Sequence, residues 1–431
     1  MKIAVIGGAG VRTPLLVHGL SSSDLPIEEL ALYDTDQARL AVIGPLARQL
    51  AGRIVLRTCS TSAECIDGAD FVFTSIRIGG IEGRARDEAI VLQHGIVGQE
   101  TVGPGGFAMA MRTIPPMVRY AREIVAKAAR AWIINFTNPV GIITQAVLQE
   151  TGANIIGICD TPTELFHEVA RVLGLQEAEC YFDYFGLNHL GWLREVYHQG
   201  EPQLHRLWSD PDRLSDVYRA ELFDRDFLMD LKLLPTEYLY YYYRPEKAVE
   251  NIRRAGTTRG SVIGKLNTQL IADLGRSDAD GVRIYGNYLA ARNASYMQIE
   301  WASAASAPSS PWAALTGYDK IALAVVRSIY FNSSLIIPLD VLNRGNIRCL
   351  EYKDVVEVPC VVNNNGALPL NVGPTPDSVR DLIVRVKEYE RLTTEAALSG
   401  NRDLACRALA ANPLVPDTVT ARSLLSDLGL T

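Results

Sequence analysis

The stretch that decides the fold is KIAVIGGAGVRTP, residues 2–14. Its apolar run Ile3–Ile6 predicts a buried strand, and Gly7, Gly8 and Gly10 follow where that strand turns into a helix. Glycines at this point let the backbone approach a pyrophosphate, and the helix N-terminus offers N–H donors to it. Because a threonine stands where the strict Gly-x-Gly-x-x-Gly pattern has its last glycine, a tight turn without a ligand is the alternative interpretation.

Asp34 supports the dinucleotide interpretation. It follows directly on Tyr33, the last residue of the second predicted strand, and lies 24 residues beyond Gly10. A carboxylate there accepts hydrogen bonds from both ribose hydroxyls of NAD and repels the additional phosphate of NADP. We therefore predict an NAD site built from the three glycines and Asp34, with an ordinary turn role for Asp34 as the alternative.

Apolar strand runs alternate with amphipathic helical stretches over residues 1–160. Strands are predicted at Ile3–Ile6, Leu30–Tyr33, Ile54–Arg57, Phe71–Thr74, Trp132–Phe136 and Ile155–Ile158, and helices at Thr13–Ser21, Asp36–Ala51 and Pro115–Ala129. Runs that are apolar throughout are typical of strands buried on both faces of a parallel sheet. The predicted fold class is α/β, with an N-terminal Rossmann-like, doubly wound parallel sheet at residues 1–160.

The alternation ends after residue 160. We predict that residues 161–431 form a mixed α/β C-terminal domain that binds substrate, carries catalysis and mediates oligomerisation. Its predicted elements are a helix at Thr163–Leu173, a strand pair around Tyr181–His198 with Gln199–Gly200 as its turn, a loop at Ala302–Pro311, late strands at Val355–Val362 and a helix at Ser378–Leu398. Because no long linker separates the two parts, we expect the second to pack directly on the first.

The composition excludes several classes of function. Apolar residues make up 48% of the chain and charged residues 21%, and the net charge is −7 with no Lys/Arg-rich block. This balance predicts a packed soluble protein with no nucleic-acid or membrane partner. Seven cysteines without a Cys-x-x-Cys pair, together with a start that reads as a strand and not a signal peptide, predict a reduced, cytoplasmic chain.

Polar residues follow two of the predicted strands. Asn138 comes after the Trp132–Phe136 strand and precedes a proline, while Cys159 and Asp160 come after the Ile155–Ile158 strand. Ligands of open α/β sheets bind beyond the carboxyl ends of the strands, so these residues are candidates for a site. An Asx turn is the alternative for Asn138, and a buried inert thiol is the alternative for Cys159.

His189 is the second candidate metal ligand. It lies in the segment FGLNHLGW, thirty residues after Cys159, and a histidine satisfied within the core is the alternative. A thiolate and an imidazole alone would leave an open metal site that substrate hydroxyls complete. Ligand softness by itself would suggest zinc.

Tyrosines and arginines supply the remaining candidates. Tyr238 opens the cluster Tyr238–Tyr243, and a tyrosine that acts as a base needs its pKa lowered by a nearby cation or metal. The arginines that are candidates for binding an anionic substrate are Arg77, Arg84, Arg86, Arg253, Arg254 and Arg259.

At this point a set of motifs resembles one known family. The motifs are GGAG, GGIEGRARDEAI, HGIVGQETVGPGGFAMAMRTIP, NFTNPVG, IGICDTP, YFGLNHLGW, PTEYLYYYY and VEVPCVV with NGALPLNVG, spread from the N-terminus to about residue 373. Their identity and order resemble the NAD- and metal-dependent glycoside hydrolases of family 4, and within it the 6-phospho-β-glucosidases.

The resemblance implies a set of partners and contacts. It implies NAD and Mn²⁺ or another divalent ion, a phosphorylated disaccharide or glucoside as substrate, and a homodimer or homotetramer. The metal ligands fall on Cys159 and His189. Further cofactor contacts are expected at Arg77 and Asn138, and substrate contacts at Arg84, Asn138, Asn188 and Arg259.

The resemblance also implies catalytic roles. Tyr238 matches the proton acceptor, and Asp160 follows the metal cysteine. Many phospho-β members have Asn at that position and phospho-α members have Asp as proton donor, so a 6-phospho-α-glucosidase is the alternative. The implied reaction is a redox elimination: C3 is oxidised, C2 is deprotonated, the aglycone leaves, water adds, and C3 is reduced again.

Two rival functions remain at this stage. A lactate/malate-type dehydrogenase has a similar superfold, but it leaves the Cys159 and His189 pair unexplained, and it would release NADH with a 2-hydroxy acid. A redox-sensing NAD-binding module would show no turnover and would tolerate loss of Tyr238 and Asp160.

Overall fold

The computed structural model describes residues 1–218, 222–276, 280–295 and 318–430. Its strands are β1 Lys2–Ile6, β2 Glu29–Tyr33, β3 Val55–Thr58, β4 Phe71–Thr74, β5 Trp132–Asn135, β6 Asn154–Gly157, β7 Cys180–Leu187, β8 Leu190–His198, β9 Glu201–Pro202, β10 Leu234–Pro235, β11 Leu335–Leu342, β12 Val355–Asn363 and β13 Gly366–Pro369.

Helices cover both faces of the sheet. The first nine are α1 Thr13–Ser21, α2 Gln37–Leu50, α3 Ser62–Ile66, α4 Gly80–Gln93, α5 Gly103–Lys127, α6 Val140–Glu150, α7 Thr161–Leu173, α8 His205–Trp208 and α9 Pro211–Ser215. The others are α10 Arg225–Leu231, α11 Tyr240–Tyr243, α12 Pro245–Ala255, α13 Arg259–Leu274, α14 Gly281–Ala294, α15 Tyr318–Phe331, α16 Asp377–Ser399, α17 Arg402–Ala411 and α18 Thr418–Asp427. Single 3₁₀ turns occur at Glu177–Glu179 and Glu237–Leu239.

The N-terminal part of the sheet is parallel and has the order β6-β5-β4-β1-β2-β3. Four of the five residues of β1 and all four of β4 are buried, because helices cover both faces of the sheet at these strands. This arrangement confirms the predicted Rossmann-like parallel sheet. The carboxyl ends of its strands share one edge, and the candidate residues of that half lie there.

Strands of the second half extend the same sheet. Asp340 in β11 pairs antiparallel with Gly157 in β6, and the sheet continues through β12, β7, β8 and β10. One large apolar cluster extends through both halves and includes Ile3, Trp192 and Leu425. The mixed α/β class is therefore confirmed, while the division into domains at residue 160 stays a prediction.

One predicted helix had the wrong boundaries. The helix predicted at Pro115–Ala129 is the last part of α5, which begins twelve residues earlier at Gly103. Pro115 and Pro116 inside it lack N–H donors and so weaken the helix, but the fully buried side chains of Phe107, Ile114 and Met117 hold it in the apolar core. The predicted loop at Ala302–Pro311 lies outside the described residues.

The turn of the predicted strand pair was also misplaced. Leu187 in β7 pairs with Leu190 in β8, so residues 188 and 189 connect the two strands. Gln199–Gly200 instead connects β8 to the short β9. Glycine is a common turn residue, so it indicated a turn at Gln199–Gly200. The chain instead bends at Asn188 and His189, and the φ of His189 is +61°. Within the described ranges, no helix combines the length and the apolar character needed to cross a bilayer.

Candidate active site

The glycine turn after β1 has the close approach that its sequence predicts. Gly7 has a φ of +97°, and a Cβ there would lie 2.2 Å from the carbonyl oxygen of Ser75. The N–H groups of Gly7 and Gly8 both donate to the Tyr33 carbonyl, at 2.9 and 2.8 Å. Only glycine fits this contact, and the turn leads into the N-terminus of α1.

Asp34 braces this turn through its side chain. One carboxylate oxygen accepts a hydrogen bond from the Ala9 N–H at 3.0 Å, and the other accepts from the Asp36 N–H at 3.0 Å. Asp34 is half-buried at the end of β2, directly beside the glycines. The structure thus brings the four predicted cofactor residues together at the carboxyl end of β1 and β2.

Asn138 lies at the carboxyl end of β5. The Asn138–Pro139 peptide bond is cis, and α6 follows immediately. The side-chain oxygen of Asn138 is buried and accepts no hydrogen bond from the part of the chain that the structure describes. The Asx turn considered from the sequence would satisfy this oxygen, so an oxygen that is buried and unpaired favours a ligand contact instead.

Cys159 lies two residues beyond β6 and is only 1% exposed. Burial raises the pKa of this thiol well above its ordinary value, and the negative charges of Glu357 and Asp160 raise it further. A thiolate at this position therefore needs a positive charge beside it.

His189 occupies the turn between β7 and β8, and it is 4% exposed. Its Nδ1 lies 2.8 Å from the Thr101 hydroxyl oxygen, whereas its Nε2 is buried without a hydrogen-bond partner among the described residues. Burial lowers the pKa of His189 to about 4, so the imidazole is neutral at physiological pH. A neutral imidazole with an unused ring nitrogen is suited to ligate a metal.

Tyr238 lies in the 3₁₀ turn after β10 and is stacked on His189. The ring centroids are 3.8 Å apart, and the ring planes differ by 4°. Burial raises the pKa of Tyr238 well above its ordinary range, and the charges of Glu237 and Glu100 raise it further. The phenol is thus held next to a candidate metal ligand, and a nearby cation would be required to form the phenolate.

Glu100, which was not singled out from the sequence, lies between two of the predicted arginines. Its Oε2 is 2.7 Å from Arg77 Nη1 and 2.7 Å from Arg84 Nη1. Burial opposes ionisation of Glu100, but the two guanidinium groups overcome it and hold the pKa of this carboxyl at about 2. The GQET motif contains Glu100, yet only the folded chain shows that Arg84 in α4 and Arg77, three residues before α4, both reach it.

Arg84 is buried in a double ion pair, which leads to a stability prediction. Its Nε also donates to Glu88 at 2.7 Å, and the Glu88 side chain is fully buried. Replacing Arg84 with methionine leaves the fully buried Glu88 without its cation and Glu100 with Arg77 alone, so we expect a loss of about 3–5 kcal/mol in the free energy of unfolding. Denaturant unfolding measures it.

The matched control is Arg57→Met, because Arg57 pairs with Glu29 and Glu64 on the surface. Its side chain is 48% exposed, and exposed pairs contribute at most about 1 kcal/mol. If the free energy of unfolding fell no more in the Arg84 variant than in the Arg57 variant, the buried ion pairs would not stabilise the packing of α4 as the geometry indicates.

Asn188 is tied to a second acidic residue that sequence reasoning missed. Its Nδ2 donates to Glu357 Oε1 at 3.3 Å, and Tyr184 donates its hydroxyl to Glu357 Oε2 at 2.6 Å. Glu357 lies opposite Asp340 on adjacent strands, and burial raises the pKa of Glu357 to about 7. No motif signal links these residues, because four different strands and turns contribute them.

Asp160 and Arg259 both lie at the N-terminus of a helix. Asp160 precedes α7, and burial raises the pKa of its carboxyl while the positive charge of Arg12 opposes that shift. Arg259 begins α13 and donates to the carbonyl of Ser295 at 2.6 Å, just past the end of α14. A structural role for Arg259 is therefore visible, and its contact with substrate stays a prediction.

The chemistry of the donor set fits one divalent metal ion. Cys159 offers a soft sulfur, and His189 offers an unused Nε2. Cys159 acts electrostatically on Tyr238, and His189 is in contact with the Tyr238 ring. Among the described residues there is no group of three or more His, Cys, Asp and Glu side chains that suits a metal. Cys159 and His189 stay the predicted ligands, and an ion held by these two alone would keep positions open for substrate oxygens or water.

The sequence matches two family models. The model of the family 4 glycosyl hydrolases matches residues 2–175, and that of the family 4 glycosyl hydrolase C-terminal domain matches residues 184–415. A relative from Bacillus subtilis, named as a probable 6-phospho-beta-glucosidase, is 31% identical over 99% of this chain and 95% of its own length.

Two solved structures are similar over the whole chain. The 6-phospho-beta-glucosidase of Thermotoga maritima, solved with manganese, NAD⁺ and glucose-6-phosphate, has a TM-score of 0.83 and 29% identity, covering 99% of this chain and 97% of that one. A 6-phospho-alpha-glucosidase from gut microorganisms, solved with NAD and glucose-6-phosphate, has a TM-score of 0.84 and 28% identity over 99% and 96%. Relatives that act on either anomer thus resemble this chain about equally.

Proposed function

Since the chain belongs to the family 4 glycosyl hydrolases, we propose that it hydrolyses 6-phosphoglucosides with the help of NAD and a divalent metal ion. The observation that carries this proposal is the stacking of Tyr238 on His189, with Cys159 close enough to act electrostatically on Tyr238. The glycine turn braced by Asp34 supports the NAD part. The solved relatives that contain NAD, manganese and glucose-6-phosphate support the same ligands here.

The proposed reaction is a redox elimination at C3, C2 and C1 of the sugar. NAD⁺ supplies a hydride acceptor when bound, and the metal ion supplies positive charge that favours the enediolate and the tyrosinate. The residues of the chain then carry the proton steps. Tyr238 takes the proton from C2, and Asp160 protonates the departing aglycone oxygen.

The anionic end of the substrate is assigned to Arg84 and Arg259, and further substrate contacts are assigned to Asn138 and Asn188. Arg84 is near enough to Tyr238 for their charges to interact, and its guanidinium also pairs with Glu88 and Glu100. The buried, unsatisfied oxygen of Asn138 supports a contact with sugar hydroxyls. Asn188 lies in the same turn as His189, and Glu357 accepts a hydrogen bond from its side chain.

Two linkage specificities compete. The overall resemblance favours 6-phospho-β-glucosides, whereas Asp160, in place of the Asn of many phospho-β members, favours 6-phospho-α-glucosides. We propose the β linkage, with the α linkage as the second candidate. We also propose a homodimer or homotetramer, which light scattering would measure.

A panel of four nitrophenyl glucosides tests the proposal. The α and β anomers, each with and without a 6-phosphate, are incubated with NAD⁺, Mn²⁺ and a thiol reductant. We expect turnover of the phosphorylated β anomer and little turnover of either plain glucoside. Equal turnover of phosphorylated and plain glucosides would contradict the role of the phosphate, and selective turnover of the phosphorylated α anomer would reverse the linkage assignment.

A further inference from the structure

The side chain of Gln99 is oriented without ambiguity. Its Oε1 lies 2.6 Å from the Thr101 backbone nitrogen and 2.7 Å from the Val102 backbone nitrogen. Both nitrogens are N–H donors, so the atom facing them must be the amide oxygen and not the NH₂ group. The usual uncertainty about amide flips therefore does not arise here.

This orientation fixes the proton of the Thr101 hydroxyl. The hydroxyl oxygen lies 3.0 Å from the same Gln99 Oε1 and 2.8 Å from His189 Nδ1. The hydroxyl has one proton and Gln99 Oε1 only accepts, so the proton points to Gln99. If the proton pointed to His189 instead, the Thr101 hydroxyl oxygen and Gln99 Oε1 would face each other at 3.0 Å with lone pairs only and no proton between them.

The proton position on His189 follows from that of Thr101. With its proton committed to Gln99, the Thr101 oxygen presents a lone pair to His189, so Nδ1 must carry the hydrogen. The other ring nitrogen, Nε2, then has a free lone pair, and it is the buried ring atom that has no partner among the residues described. The stacked ring of Tyr238 fixes the plane of the imidazole.

We propose that Gln99 and Thr101 are positioning residues that fix the Nε2-unprotonated tautomer and the ring orientation of His189, so that Nε2 is ready to bind the divalent ion. This inference rests on the proposed metal site, and it assigns a task to two residues of the GQET motif that have no role in the proposed reaction. Ligating histidines usually depend on such a partner at the second ring nitrogen, and its loss typically lowers metal affinity about 10–100-fold.

The tautomer can be observed directly in the intact protein. The chain has six histidines, so ¹⁵N-histidine labelling and substitution of His189 identify its ring signals. In metal-free wild-type protein we expect a protonated Nδ1 and an unprotonated Nε2. An Nε2-protonated ring would overturn the inference whether or not any variant folds.

Metal binding by two matched variants gives the second test. Thr101→Val keeps the shape and removes the acceptor, so we expect its Mn²⁺ dissociation constant to rise about 10–100-fold. Thr101→Ser keeps the hydroxyl and should stay within a few-fold of wild type. Free Mn²⁺ is followed by electron paramagnetic resonance, and thermal unfolding checks that both variants are folded.

The outcomes separate this inference from the proposed function. A folded Thr101→Val variant that binds Mn²⁺ as tightly as wild type, with the tautomer unchanged, would overturn the positioning role alone. A wild-type protein that takes up no Mn²⁺ would overturn the proposed metal site, while the ring signals would still report whether Thr101 sets the tautomer. An equal loss in the valine and serine variants would assign Thr101 to packing and overturn the inference.

Discussion

Cys159→Ser is expected to abolish uptake of Mn²⁺ and, with it, hydrolysis. A serine hydroxyl stays protonated where a thiol beside a cation ionises. The variant therefore loses one of the two proposed protein ligands of the Mn²⁺ ion. The replacement is nearly the same size and lies beyond the end of β6, so we expect the fold to remain intact. Mn²⁺ titration, turnover and thermal unfolding of the same preparation measure the three quantities.

Cys65→Ser is the matched control for this prediction. Cys65 is also fully buried, but it lies in α3 and donates its thiol to the Ala31 carbonyl at 3.3 Å, away from the site. This variant should bind Mn²⁺ and turn over substrate as wild type does. If EDTA-treated wild-type enzyme kept full activity without added metal, the assignment of Cys159 would be wrong.

Tyr238→Phe is expected to lower turnover by about 10²–10⁴-fold, which is the usual contribution of general-base catalysis. Phenylalanine keeps the ring that stacks on His189 and removes only the phenol oxygen. Binding of NAD⁺ and Mn²⁺ should therefore survive, which calorimetric titration checks. A loss below about tenfold would point to another base.

Tyr241→Phe is the control for the tyrosine cluster. Tyr241 is buried, and its ring centroid lies 6.0 Å from that of Tyr238, so it shares the neighbourhood without stacking on His189. We expect this variant to retain most of its turnover. An inactive Tyr241→Phe variant together with an active Tyr238→Phe variant would transfer the role of base to Tyr241.

The N-terminal sheet could be predicted because its strands are apolar on both faces. Short apolar runs such as Ile3–Ile6 and Phe71–Thr74 fit few structures other than a buried strand. The adjacent glycines Gly7 and Gly8 mark the turn between strand and helix. The turn at Asn188 and His189 was missed because neither residue is glycine. Its backbone conformation depends on tertiary contacts, such as that between Asn188 and Glu357.

The contacts around the site depend on residues far apart in the chain. Thr101 meets His189 across 88 positions, and Glu357 meets Asn188 across 169. The GQET segment was among the motifs that carry the family resemblance, but the sequence indicated no contact partner for Gln99 or Thr101. Charge alone suggested that Arg84 binds an anion, whereas folding pairs it with two carboxylates of the protein itself.

Deuterium at C2 of the product is the most direct test of the proposed redox elimination. Wild-type enzyme hydrolyses a 6-phosphoglucoside in D₂O, and NMR or mass spectrometry locates deuterium in the released sugar phosphate. If Tyr238 removes the C2 proton, solvent deuterium enters at C2. Direct displacement between two carboxylates leaves C2 untouched. We expect deuterium at C2, and a wild-type product without it would contradict the account.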